Sequence, residues 1–168
     1  LLPGERLMSQ RMSRQLTPEE VLESHFDGPE DGVFTDGSCE PNPGPGGWGW
    51  VWVERGQIKA EGHGREGNTT NNRMELRALI EAFQALPDDR DLIVHSDSQL
   101  CVNTVNEWAA GWERRGWTRK GGPIKNLDLV KQLYALKKAK PRIQLHWIRA
   151  HEGLRWNEYA DALAALSD

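Results

Sequence analysis

Cysteine is scarce in this chain, with two in 168 residues, Cys39 and Cys101. That excludes a disulfide framework as the means of holding the fold and fits a reducing, cytoplasmic setting with both thiols free. Long apolar runs are missing too. No stretch approaches the roughly 20 residues that a membrane-spanning helix requires, and the N-terminal segment lacks the basic–apolar–small pattern of a secretory signal. Nor is there a surplus of positive charge: 21 Lys and Arg stand against 25 Asp and Glu, a formal net charge of −4. A nucleic-acid partner would have to be met by a local basic patch. No internal repeat divides the chain, and its length suits one domain with a core of its own.

What the chain does have is an organising stretch at 31–53, DGVFTDGSCEPNPGPGGWGWVWV. Val33, Phe34 and Thr35 lead into Asp36, a Pro/Gly-rich reversal follows, and Trp48, Trp50 and Trp52 then alternate at period two. This predicts an antiparallel hairpin. Asp36 is out of place in it. Aspartate is depleted in strands, and a carboxylate at a sheet centre is costly unless a cation meets it. An Asp-Gly turn would be the plainer explanation, but PNPGPGG already supplies the turn.

Around this hairpin the other elements follow in order. Residues 1–30 are read as a polar, partly disordered appendage, with Met12 as a candidate start and a short helix in 16–26 capped by Thr17 and begun by Pro18. Residues 57–64 predict a third strand. Leu76, Leu79, Ile80, Phe83 and Leu86 recur at helical spacing and predict a helix over 72–86, stopped by Pro87. DLIVHS (91–96) reads as a buried strand handing over to a helix at Asp97, the kind of junction where α/β sheets collect ligands. Taken alone, Glu75 also fits a capping box with Asn72, and Asp97 fits a simple N-cap. Residues 126–139 predict a further helix, 142–149 a last strand, and the segment after His151 a closing helix that carries Asp161. The order β-β-β-α-β-α-α-α-β-α predicts an α/β fold, a mixed five-stranded sheet with helices on both faces.

Asp36, Glu75, Asp97 and Asp161 can meet at one end of such a sheet. Four carboxylates there would repel strongly unless hard divalent cations with oxygen ligands neutralised them. One segment, 108–125, is both basic and aromatic. Arg114, Arg115, Arg119, Lys120 and Lys125 interleave with Trp108, Trp112 and Trp117, a combination that suits a phosphate backbone with stacking or packing.

From about Asp31 onward the chain resembles type 1 ribonuclease H. The resemblance rests on TDGSCEPNPGPGGWG (35–49), TTNNRMEL (69–76), SDSQ (96–99), the Trp-rich basic segment and HEGLRWNEYAD (151–161), in that order. It implies a ribonuclease H catalytic domain over 31–168. The implied activity is two-metal-ion hydrolysis of the RNA strand of an RNA/DNA hybrid, independent of sequence, leaving 5′-phosphate and 3′-hydroxyl ends. Two Mg²⁺ ions, with Mn²⁺ as a substitute, would be held by Asp36, Glu75, Asp97 and Asp161. His151 matches a loop histidine assigned to proton transfer or product departure. Recognition of groove shape and the 2′-hydroxyl points to Asn42, Asn71, Asn72 and Gln99 with the backbone of Gly37, Ser38 and Cys39, and Thr70 matches a residue of a DNA-phosphate pocket. Trp108, Trp112, Arg114, Arg115, Trp117, Arg119 and Lys120 fall in the family's basic protrusion.

Three departures stand out. Asn68 and Gly111 replace an Arg and an Asn of the phosphate pocket, which predicts weaker and more salt-sensitive hybrid binding. Ala150 stands where Gly commonly precedes the histidine, and the acidic residues 1–30 do not resemble the separate hybrid-binding domain of some members. A monomer suffices and no membrane is implied. The alternatives are the same domain within a reverse transcriptase, and a catalytically silent hybrid-binding module. The presence of all four carboxylates favours an active enzyme.

Overall fold

In the computed structural model, which describes residues 15–167, the tryptophan-rich hairpin becomes the spine of a five-stranded sheet ordered β3-β2-β1-β4-β5. Strand β1 (Gly32–Cys39) pairs antiparallel with β2 (Gly44–Glu54), which places Asp36 opposite Gly49. Strand β3 (Gln57–Thr69) pairs antiparallel with β2, whereas β4 (Leu92–Ser96) and β5 (Ile143–Trp147) add in parallel on the other side of β1. This is the mixed sheet expected from the order of elements. One difference lies in β3, which carries glycines at 62 and 64 and continues past the predicted end at Gly64 to Thr69. The glycines are there because the indoles of β2 lie over them: a Cβ on Gly62 would stand 2.5 Å from Nε1 of Trp50.

Alternation along the strands builds two apolar layers. Val33, Trp50, Trp52 and Val94 face α2 (Asn71–Ala85) and α5 (Leu127–Ala139), where Leu79, Ile80, Phe83 and Leu133 complete one cluster. Phe34, Val51 and Val53 face the opposite way, onto Trp156, Tyr159, Ala160 and Leu163 of α6 (Arg155–Ala164). Burying both faces of the central strands explains why β1, β2 and β4 read as nearly continuous apolar runs.

The expected helix after Asp97 runs as α3 (Gln99–Asn103), a π-helical turn (Thr104–Trp108) and α4 (Ala109–Arg114). The wide turn has no signature in side-chain periodicity. Beyond α4 the chain reverses through left-handed conformations at Gly116 (φ 70°) and Trp117 (φ 62°) and enters α5 from Asn126 (φ 56°).

The N-terminal segment differs from an appendage as far as it is described. Helix α1 (Pro18–Ser24) has the predicted Thr17 cap, with a reciprocal bond between Thr17 N–H and Glu20. It is packed: Val21 is 1% exposed and belongs to the α6-side cluster. Arg155 donates to the carbonyls of Leu22 and His25 at 3.1 and 2.8 Å, and Asp27 bridges to Leu154. Residues 1–14, Met12 among them, lie outside the described residues. Among the described residues no helix is long and apolar enough to cross a membrane.

Candidate active site

Parallel pairing sets the first two carboxylates side by side. Thr35 of β1 is in register with Ser96 of β4, so the residues that follow, Asp36 within β1 and Asp97 just past the end of β4, lie at the same end of the sheet. Ser98, not Asp97, caps the following helix, its hydroxyl accepting from Cys101 N–H at 3.2 Å. Asp97 is thereby left to the site.

Glu75 arrives through a glycine. A side chain on Gly37 would collide with the backbone of Met74 and Glu75, so α2 can rest directly on β1 only because residue 37 has none. Thr70 caps α2 by accepting from Arg73 N–H at 3.2 Å, in place of the Asn72 capping box considered from sequence. Glu75 instead accepts the N–H of Gly37 at 2.5 Å. A second close approach places Asp161. A Cβ on Gly49 would stand 2.8 Å from the carbonyl oxygen of Ala160, and Gly49 pairs with Asp36. The residue after Ala160 therefore leans over Asp36.

The outcome is a cluster in which one oxygen from each of Asp36, Glu75 and Asp97 lies within 4.8 Å of the others. Asp36 and Glu75 are 9% and 8% exposed. Burial pushes the Asp36 carboxyl well above the usual carboxylate range, reinforced by the charge of Asp97 and by Asp161. Burial raises Glu75 likewise, with Asp36 and Asp97 adding to it. Among the described residues no Lys, Arg or His pairs with Asp36, Glu75 or Asp97. Crowded carboxylate oxygens without a cation are the donor set that a hard divalent ion takes, so the residues fit Mg²⁺ or Mn²⁺.

His151 is exposed, in a left-handed conformation (φ 58°) on the loop between β5 and α6. It lies within electrostatic reach of Glu158, whose carboxyl is raised by burial and by Asp161 and lowered by His25 and His151. Sequence reading missed Glu158, although it sits one helical turn before Asp161.

The substrate-side candidates divide into groups. Cys39 N–H donates to Asn71 Oδ1 at 2.7 Å, and Asn71 N–H donates to Asn42 Oδ1 at 3.1 Å. Gly37 N–H is taken by Glu75, while Ser38 and Gln99 are exposed beside the carboxylates in sequence. Asn42, Thr70, Asn71 and Asn72 edge a cavity of about 570 Å³ with Lys125 and Asn126. A neighbouring groove of about 380 Å³ shares Asn72, Lys125 and Asn126 and is lined by Trp108, Trp112, Arg119 and Lys120. Arg114 and Arg115 are exposed but line neither. Trp117 packs edge-on against Tyr134, ring centroids 6.1 Å apart. Asn68 and Gly111 also line neither space. Asn126 is not among the site residues expected from sequence, and Lys125 is expected there only as part of the basic segment. They are placed by the left-handed turn at Asn126 and by Arg73, which donates to Asp128 at 2.9 and 3.1 Å.

Comparison with known proteins agrees with this geometry. The ribonuclease H family model matches residues 30–167. Ribonuclease H of Herminiimonas arsenicoxydans is 49% identical over 133 residues, covering 79% of this chain and 90% of the relative. Among solved structures, LC9-RNase H1, a type 1 RNase H, superposes with a TM-score of 0.63 at 31% identity, covering 83% of this chain and 72% of that one. LC11-RNase H1 in complex with RNA/DNA hybrid superposes with a TM-score of 0.59 at 26% identity, over 79% of this chain and 91% of that one. On the sequence match, the sheet and the converging acids together, the chain belongs to the type 1 ribonuclease H family.

Proposed function

We propose that the protein is an endonuclease that hydrolyses the RNA strand of RNA/DNA hybrids without sequence preference. The observation that carries this reading is the convergence of Asp36, Glu75 and Asp97, with two of the three buried and their oxygens within 4.8 Å. In this proposal those three and Asp161 hold two Mg²⁺ ions, for which Mn²⁺ substitutes. When bound, the ions supply the Lewis acidity for in-line attack of water on the scissile phosphate, giving 5′-phosphate and 3′-hydroxyl ends. Asp36, with Asp97, Asp161 and Glu75 all around it, would be the ligand at the centre of the set. The Gly37 N–H holds the Glu75 carboxylate in one orientation, so less ordering remains to be done when a cation arrives. His151, exposed at the rim, moves a proton at the departing product.

The asparagine and threonine edge of the 570 Å³ cavity faces the hybrid's sugars and phosphates, and the groove with Trp108, Trp112, Arg119 and Lys120 receives the DNA strand. Because all four carboxylates come from one chain, a monomer is a complete enzyme. The hybrid bound by LC11-RNase H1 supports the choice of substrate.

The test uses one end-labelled RNA presented single-stranded, paired with RNA and paired with DNA, each with Mg²⁺ or EDTA. Cleavage restricted to the hybrid, dependent on the metal and lost in Asp36→Asn, is the expected result. Hybrid binding without cleavage would identify a binding module instead.

A further inference from the structure

The family match begins at residue 30, yet the chain before it reaches the active site. Gln15 donates its side-chain amide to Oδ2 of Asp161 at 3.2 Å, and the same nitrogen donates to the Leu16 carbonyl at 3.1 Å. Both amide hydrogens are thereby engaged, which sets the plane of the amide as well as its reach. What aims Gln15 is the start of α1. Thr17 caps the helix, and Leu16 and Val21 occupy the positions of a hydrophobic staple, one residue before the cap and four after it. Both belong to the apolar cluster of α6. Arg155, on α6 itself, ties down the far end of α1 through the carbonyls of Leu22 and His25. Gln15 and Asp161 therefore ride on two helices fastened to one another.

We propose that Gln15, delivered by this packed N-terminal helix, is a positioning residue for Asp161, holding one carboxylate oxygen so that the other is presented to a divalent cation over Asp36. Asp161 needs such support more than its partners do. Glu75 is fixed by the Gly37 N–H and Asp36 is buried, whereas Asp161 is half-exposed on the outer helix. A neutral amide suits the task because it orients the carboxylate without a charge that would compete with the cation.

The inference rests on the reading of Asp161 as a metal ligand, and the experiment separates the two. Mn²⁺ binding to the full chain is measured by electron paramagnetic resonance for the wild type, Asp161→Asn, Gln15→Ala and Gln15→Met, together with the Mg²⁺ concentration giving half-maximal cleavage and the melting temperature of each. Methionine keeps the length of glutamine and removes its donors. The expected result is that Gln15→Ala and Gln15→Met both weaken Mn²⁺ binding and raise the Mg²⁺ requirement by about fivefold, below the loss commonly seen when a ligand-orienting partner is removed, with melting unchanged. Tighter Mn²⁺ binding in either variant would show Gln15 to be a competitor for Asp161 and overturn the proposal. Wild-type behaviour of Gln15→Met would reduce the residue to packing and overturn it equally. Undiminished Mn²⁺ binding by Asp161→Asn would overturn the metal-ligand reading itself.

Discussion

The acid end of the sheet and the basic protrusion beyond α4 are built on opposite principles. The carboxylates come from β1, α2, β4 and α6, far apart in sequence, and two of them are buried at 9% and 8% exposure. The cations of the protrusion come from one contiguous segment and stand in water, and Trp108 beside them is 41% exposed. Burying like charges raises their proton affinity and strains the metal-free fold, so that region must be held by close backbone contacts, at Gly37 under α2 and Gly49 under α6. Exposed cations need no such support and are screened by salt. The proposed chemistry thus lies where the fold is most constrained, and the proposed grip on the hybrid where it is least.

Substitution at Asp36 should break this comparison most sharply. Asp36→Asn is expected to lower cleavage by at least about a thousandfold, or ~4 kcal/mol of transition-state stabilisation, while hybrid affinity stays within about threefold. The same change should stabilise the metal-free protein. Because the folded protein holds the Asp36 proton above its ordinary pKa of 3.8, this group favours the fold in acid and loses that contribution as pH rises through the raised value. At neutral pH, Asp36→Asn should therefore raise the melting temperature of the metal-free protein by a few degrees. A fall in melting temperature would contradict the charge repulsion described for the cluster.

At the protrusion the expected effect is on binding alone. Replacing Arg114, Arg115, Arg119 and Lys120 by alanine should weaken hybrid binding about tenfold or more and reduce the slope of log affinity against log salt by about 0.7–0.9 for each phosphate no longer neutralised. Turnover at saturating hybrid should be preserved. A smaller gain is expected from Asn68→Arg with Gly111→Asn. A Cβ at Gly111 would meet only guanidinium ends, that of Arg115 at 3.3 Å and that of Arg114 at 3.6 Å, which are free to move, so the pair should fit and tighten binding roughly fivefold, near 1 kcal/mol. Unchanged affinity and salt slope would show that these departures do not weaken the grip on phosphate.

The smallest effect is a control of opposite sign. Burial pushes His95 down to about 4, with His146 contributing. A folded-state pKa below the unfolded value of 6.5 means that its contribution is full above pH 6.5 and is lost as pH falls toward 4. His95→Gln should remove a loss of about 1 kcal/mol at pH 5, allowing for its partial exposure. Melting curves at pH 5 and 7 for this variant and for Asp36→Asn should move in opposite directions.

Much of this was legible in one dimension. Period-two tryptophans, helical leucine spacing and the Pro/Gly reversal depend on local geometry, so most strands and helices and their order along the chain could be read directly. The unusual position of Asp36 in a strand was enough to call for a cation. What could not be read locally was what packs against what. The glycines at 62 and 64 have no evident reason in a strand until the indoles of Trp48 and Trp50 lie on them, and the π-helical turn leaves no periodic mark. Asn126 and Lys125 face the cavity because a left-handed turn and the Arg73–Asp128 pair place them there. Gln15 lies far from Asp161 along the chain, and no spacing rule links them. The elements, their order and the acids available for metal follow from local backbone preference and residue chemistry. Which acids meet, at what burial and with which neighbours, is set by the folded chain, because convergence depends on close approaches between distant backbones.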